Sequence, residues 1–157
     1  MNDEQILLVS MLQDAIHAVY QEERFLLEFA QRERVGLEQA FVFRTGIHLS
    51  NILIDSPYEA LDLDSEYNKN HGNVKTSKRL ENGFRPDLIL HRRDSHEKNM
   101  VVAEFKGWWN NDLKTDILKL EDLTTPNDNY HYLIGVLVLI GNSEPTYRYF
   151  INGVEYE

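Results

Sequence analysis

The chain contains no cysteine, which excludes disulfide bonds and thiolate metal sites. Long apolar runs are missing too. The longest, residues 133–140, is interrupted by Gly135 and falls far short of the roughly 20 residues that span a bilayer. No membrane partner is therefore expected. Basic residues are scarce: 16 Lys and Arg stand against 26 Asp and Glu, a net charge of −10. That balance argues against a nucleic-acid binder held by charge alone. Met1-Asn2-Asp3-Glu4 opens acidic, without a basic segment or a cleavage site, so cytoplasmic residence is expected. There is no Walker loop, GxGxxG or Ser-centred nucleophile motif, and His17, His48, His71, His91, His96 and His131 show no zinc-type spacing.

What is present suits one globular domain over residues 1–157, with 42% apolar residues. Residues 3–34 read as helix, with Val9, Leu12, Ile16 and Val19 on one stripe and Phe25, Leu26 and Phe29 continuing it after a bend. Gly36 breaks the run. A second helix is expected over residues 37–54, with Leu37, Ala40, Phe41 and Phe43 inward, ended by Ser56-Pro57. Residues 58–67 form a candidate strand on which Leu61 and Leu63 alternate with Asp62, Asp64 and Glu66. The acidic row is the wet face of an edge strand or an added source of metal ligands. Residues 68–83 are polar and read as a mobile excursion.

Two strands follow, residues 87–91 and 99–106, joined by a short polar link that favours an antiparallel hairpin. A third helix is expected over residues 110–124, and Pro126-Asn127-Asp128-Asn129 stops it. Residues 132–140 read as a strand buried on both faces, and residues 147–151 as a last strand. Strand, helix and strand in that order make a right-handed parallel crossover. The fold class is α/β (mixed α+β): a central mixed sheet flanked by helices, with residues 1–36 an N-terminal helical extension and 37–157 the core.

Charge is distributed unevenly. Residues 1–40 hold eight acids against three bases, whereas residues 75–98 hold seven bases against four acids. Inside that basic stretch lies Asp87, directly after Pro86, a residue tolerated at the start of a strand. Glu104 and Lys106 are two apart on the partner strand, so they share a face, and both interrupt an apolar segment. Buried charges need partners or a metal. Asp87 and Glu104 converging at a strand end form a hard-oxygen site suited to Mg²⁺ or Mn²⁺, with Lys106 to orient water or stabilise charge on phosphorus. An ion pair of Lys106 with Glu104 or Asp87 would also account for the triplet.

The strings Phe84-Arg85-Pro86-Asp87-Leu88-Ile89-Leu90 and Ala103-Glu104-Phe105-Lys106-Gly107 resemble the PD-(D/E)xK, or restriction-endonuclease-like, nuclease superfamily over roughly residues 37–140. The resemblance implies an αβββαβ core, here with an extra N-terminal helix. It implies catalysis by Asp87, Glu104 and Lys106, with Mg²⁺ (or Mn²⁺) held by Asp87 and Glu104. It also implies a helix Glu, best matched by Glu38, for which a surface salt bridge with Arg34 is equally open. A polar residue on the following helix would be Lys119 or Asp116.

The resulting expectation is a Mg²⁺-dependent endonuclease acting on DNA. Lys75, Lys78, Arg79 and Arg85 would contact phosphate, and Trp108, of the pair Trp108-Trp109, would stack on a base or else pack in the core or a dimer. A homodimer or partner protein would add grip and, for duplex cutting, a second site. His91 shares strand parity with Asp87 or lies on the hairpin surface. The alternative function is a non-catalytic protein-interaction module on the same fold.

Overall fold

The computed structural model describes residues 1–33, 37–67, 69–70, 73–74, 76–77, 79, 83–93, 95, 97–126 and 130–156. Helix α1 (Asp3–Glu22) begins with a capping box: Asn2 Oδ1 accepts from Gln5 N at 2.8 Å, and Gln5 Oε1 accepts from Asn2 N at 2.8 Å. Its stripe Val9, Leu12, Ile16 and Val19 is buried, as the spacing predicts. The bend falls at Glu23, and α2 (Arg24–Glu33) follows. Phe25 is not on the inner stripe: it is 70% exposed, whereas Leu26 packs against the core, as expected, and Leu27 is buried. Helix α3 (Glu38–Leu53) buries Phe41, Val42, Thr45, Leu49 and Leu53. Phe43, two residues past Phe41, faces outward for reasons of helical period.

Strand β1 (Asp62–Ser65) is shorter than the 58–67 expectation. The excursion after it contains a small antiparallel pair, β2 (Lys69–Asn70) with β3 (Asn73–Val74). Its described residues are tied down: Thr76 N donates to Tyr130 Oη at 3.1 Å, and Arg79 Nε to Asp122 Oδ1 at 2.6 Å. Then come β4 (Leu88–His91), β5 (Val101–Gly107), α4 (Lys114–Thr124), β6 (Ile134–Ile140) and β7 (Thr146–Ile151). Helix α4 starts later than residue 110 because Asn110 and Asp112 side chains accept from the backbone of Asp112 and Lys114, at 3.1 and 3.3 Å, and hold a turn there. Pro126 lies just past its end; residues 127–129 fall outside the described residues.

Residues 147–151 are not the last strand. Asn152 and Gly153 both have positive φ (54° and 80°), the turn that closes two-residue hairpins, and β8 (Val154–Tyr156) folds back on β7.

The six strands run in the order β1-β4-β5-β6-β7-β8, with β5 and β6 parallel and the other neighbours antiparallel. Alternation assigns the two faces. Leu88, Leu90, Val101, Ala103, Phe105, Ile134, Val136, Val138 and Ile140 pack with α1 and α3. Ile89, Val102, Leu137 and Phe150 pack with Leu120 and Leu123 of α4 and with Tyr130 and Tyr132. Each fully buried Leu, Ile or Phe contributes about 1.5–3 kcal/mol relative to exposure. Glu104 and Lys106 share the parity of Val102, so the fold points them at α4.

Candidate active site at the fork between β4 and β5

Pro86 has no N–H to give a ladder, and β4 begins only at Leu88, paired with Ala103. Strand β5 continues to Gly107 beside β6. The sheet therefore forks. Trp108 N donates to Ile140 O; by alternation, the amides of Phe105 and Gly107 point away from β6, into the fork. Two carboxylates fill the vacated ladder positions. Phe105 N donates to Asp87 Oδ2 at 2.7 Å, and Gly107 N to Glu38 Oε2 at 3.0 Å. The described structure thus gives Glu38 a backbone partner; Arg34 lies outside the described residues.

Glu104 is buried at 1% exposure. Its Oε2 accepts from Lys119 Nζ at 2.8 Å, while its Oε1, equally buried, has no hydrogen-bond partner among the described residues. Lys119 Nζ also donates to Asp116 Oδ1 at 3.2 Å, and Lys106 Nζ lies 2.9 Å from Asp116 Oδ2 as an ion pair. The partner of Lys106 is therefore Asp116, not Glu104 or Asp87. The choice between Asp116 and Lys119 dissolves, since both sit three apart on α4 and both enter the cluster. Four carboxyls (Glu38, Asp87, Glu104, Asp116) meet two ammonium groups (Lys106, Lys119), an excess of two negative charges when all are ionised.

The electrostatics follow from this crowding. Burial pushes Asp87 up to about 6, with Glu38 and Asp116 adding to the rise and the Phe105 amide and Lys119 opposing it. Burial, then the neighbouring Asp87 charge, push Glu104 well above the ordinary carboxyl range. Burial works against the charge on Lys106 and Lys119, yet Asp116 for the first and Glu104 for the second outweigh it, so both ammonium groups are held more firmly than usual. Among the described residues no three His, Asp or Glu side chains are arranged as a group to hold a metal ion. Glu38 and Asp87 line a cleft of about 320 Å³ with Gln39, Val42, Ser65 and Glu66.

The remaining candidates are placed as follows. Arg85 lies at the cleft edge, 3.5 Å from Glu66. Arg79 is engaged by Glu121 at 2.9 Å and by Asp122 on α4. Lys75 and Lys78 lie outside the described residues. Trp108 is 38% exposed and meets Trp109 edge-on, with ring centres 4.5 Å apart. Trp109 covers Gly107 so closely that a Cβ there would lie 2.2 Å from its ring, which is why glycine follows Lys106.

His91 reaches neither the site nor the surface. It is buried, and its Nε2 lies 2.9 Å from Asp64 Oδ2. Asp64 also accepts from Arg93 Nε at 2.9 Å, and Asp62 from Arg93 N at 2.9 Å. Asp62 and Asp64 are thereby used in pairing β1 to the turn after β4 rather than in adding ligands to the cluster.

No protein-family model, curated protein or solved structure matches the chain.

Proposed function

We propose that the chain is a metal-dependent nuclease that hydrolyses phosphodiester bonds in DNA on a restriction-endonuclease-like core. The observation that carries this reading is the state of Glu104. A buried carboxylate has one oxygen fixed by Lys119 and the other without a partner among the described residues, beside a second carboxyl, Asp87, whose ionisation burial also disfavours. An unmatched buried oxygen costs about 1–3 kcal/mol, and a cation is the partner that would offset both this and the surplus negative charge. The order α3, β1, β4, β5, α4, β6, with three antiparallel strands and a parallel fourth, agrees with the αβββαβ core that the resemblance implies.

In this reading Asp87 and Glu104 would hold Mg²⁺ or Mn²⁺, ions that favour carboxylate oxygen. Such an ion polarises the phosphoryl oxygen and makes a bound water more acidic. The rest is done by the chain. Lys106 donates to the attacking water or to the oxygens on phosphorus as charge builds there. Asp116 keeps its Nζ in place, Lys119 fixes the Glu104 rotamer, and Glu38 pins Gly107 so that the end of β5 does not shift.

A second reading is favoured by one feature: Lys119, Asp116 and Lys106 form a chain of ion pairs that is complete without any ligand. In that case the cluster holds α4 to the sheet and the protein is a non-catalytic interaction module. Melting with Mn²⁺ separates the two. At 100 times its dissociation constant the ion would stabilise the fold by about 2.7 kcal/mol, a rise of roughly 5–10 °C for a domain of this size. The nuclease reading expects that rise in the wild type and its loss in Asp87→Asn. A wild-type melting temperature indifferent to Mn²⁺ and Mg²⁺ supports the second reading.

A further inference from the structure

Past the end of β5 lies a second cavity, of about 310 Å³, which Lys106 shares with the carboxylate cluster. Leu139 lines it, with Trp108 and Asn110 from the turn after β5, and with Asn111 and Glu144. It opens at the carboxyl ends of the parallel pair β5 and β6, the place where open α/β sheets seat ligands. Trp108 is exposed there, while its neighbour Trp109 is fixed over Gly107 and abuts it edge-on. An indole held by its neighbour offers a stacking surface at small entropic cost.

The distribution of charge points the same way. Among the described residues Arg24, Arg44, Arg79, Arg85, Arg93 and Arg148 are each paired with a carboxylate of the chain itself, and the net charge is −10. An acidic chain with six of its arginines so engaged is poorly suited to grip a duplex by its phosphates alone. Beside Lys106, which the carboxylate cluster already holds, the groups around the cavity are those that read a base: an aromatic face, two side-chain amides and a carboxylate acceptor.

We propose that this cavity receives one unpaired base next to the bond placed at Asp87 and Glu104, so that the substrate class is single-stranded DNA. The inference rests on the nuclease reading for the identity of the adjoining site. A base within a duplex is stacked on both faces and cannot enter. Glu144 disfavours a phosphate in the cavity, and the polar groups Asn110, Asn111 and Glu144 meet the base edge.

The test is fluorescence anisotropy of a labelled oligothymidine and of a blunt duplex of equal length, in EDTA so that nothing is cut. The oligothymidine should bind more tightly than the duplex, with a shallow dependence on salt. Trp108→Ala should weaken single-strand binding about tenfold or more, and Trp108→Phe should retain most of it. Melting curves of both variants establish that they fold. Duplex binding as tight as single-strand binding, or a folded Trp108→Ala variant that binds as the wild type does, overturns the proposal. Cleavage of the same strands with Mn²⁺ is scored separately. Trp108-dependent binding without cleavage supports the base site and removes the nuclease reading.

Discussion

Asp87 Oδ2 lies 2.7 Å from the backbone nitrogen of Phe105 and accepts its hydrogen bond, so a side chain stands where the next residue of β4 would have continued the ladder. The fork in the sheet and the chemistry proposed for it thus have one origin, the proline at position 86. Asp87 has a structural part and a proposed chemical part, and substitutions can separate them.

Asp87→Ala removes the acceptor and leaves the Phe105 amide unmatched, a cost of about 1–3 kcal/mol. Asp87→Asn keeps an acceptor oxygen and, at pH 4, where Asp87 is itself mostly uncharged, should lose less than half of that. Urea denaturation checks the difference, and both variants should lose Mn²⁺-dependent cleavage. Equal destabilisation by the two at pH 4 would mean that the hydrogen bond to Phe105 is not what Asp87 contributes.

Lys119 is the direct hydrogen-bonding partner of Glu104 Oε2. Breaking a buried pair from one side typically costs about 3–5 kcal/mol. Here Glu104 is already pushed toward its neutral form, so Lys119→Met should cost less, on the order of 2 kcal/mol at pH 7, and less still at pH 5. The double variant Glu104→Gln, Lys119→Met should be more stable than Lys119→Met alone. A strictly additive double-mutant cycle would contradict the pairing.

The raised value for Asp87 has a defined sign. Because folding favours its protonated form, the contribution to stability is full below the ordinary aspartate range and is lost as pH rises through about 6. The metal-free wild type should therefore lose stability relative to Asp87→Asn between pH 4 and 7, by up to about 3 kcal/mol. Melting of the two proteins in EDTA across that range reads the difference. A gap that does not change with pH would show that burial at this position is weaker than the structure gives.

Asp64 behaves oppositely. Burial alone would raise it, but hydrogen bonds from Arg93 and His91 outweigh burial and hold it below the ordinary range. Its contribution is present above that range and lost as pH falls through the lowered value. Asp64→Asn should thus destabilise at pH 7 and flatten the acid limb of the melting profile. A substitution neutral at pH 7 would remove β1's charge contacts from the account.

Much of the site was legible because strand parity is a short-range property. Glu104 and Lys106 two apart on a β-rich run had to share a face, and Asp87 after Pro86 had to stand at a strand's beginning. The partners were not legible, because they depend on register and helix placement. Lys106 meets Asp116, and Glu104 meets Lys119, only once α4 lies over β5. The backbone roles of Asp87 and Glu38 arise from where β4 stops relative to β5, which no single strand encodes. His91 looked like a hairpin-surface residue because its partner, Asp64, comes from a different strand pair. Strand β8 depends on Asn152-Gly153, a two-residue hairpin turn that is a weaker local signal than the apolar run before it. Phe25 and Phe43 are exposed because helix phase, set by the neighbouring residues, decides burial, and aromatic character alone does not.

The central claim is tested most directly by cleavage of single-stranded and duplex DNA in Mn²⁺, with Lys106→Ala run beside the wild type. The account predicts cutting by the wild type that needs the ion, and a loss of at least about a hundredfold in the variant while its melting temperature stays within a few degrees. No cutting of either DNA by the wild type, or equal cutting by Lys106→Ala, would contradict it.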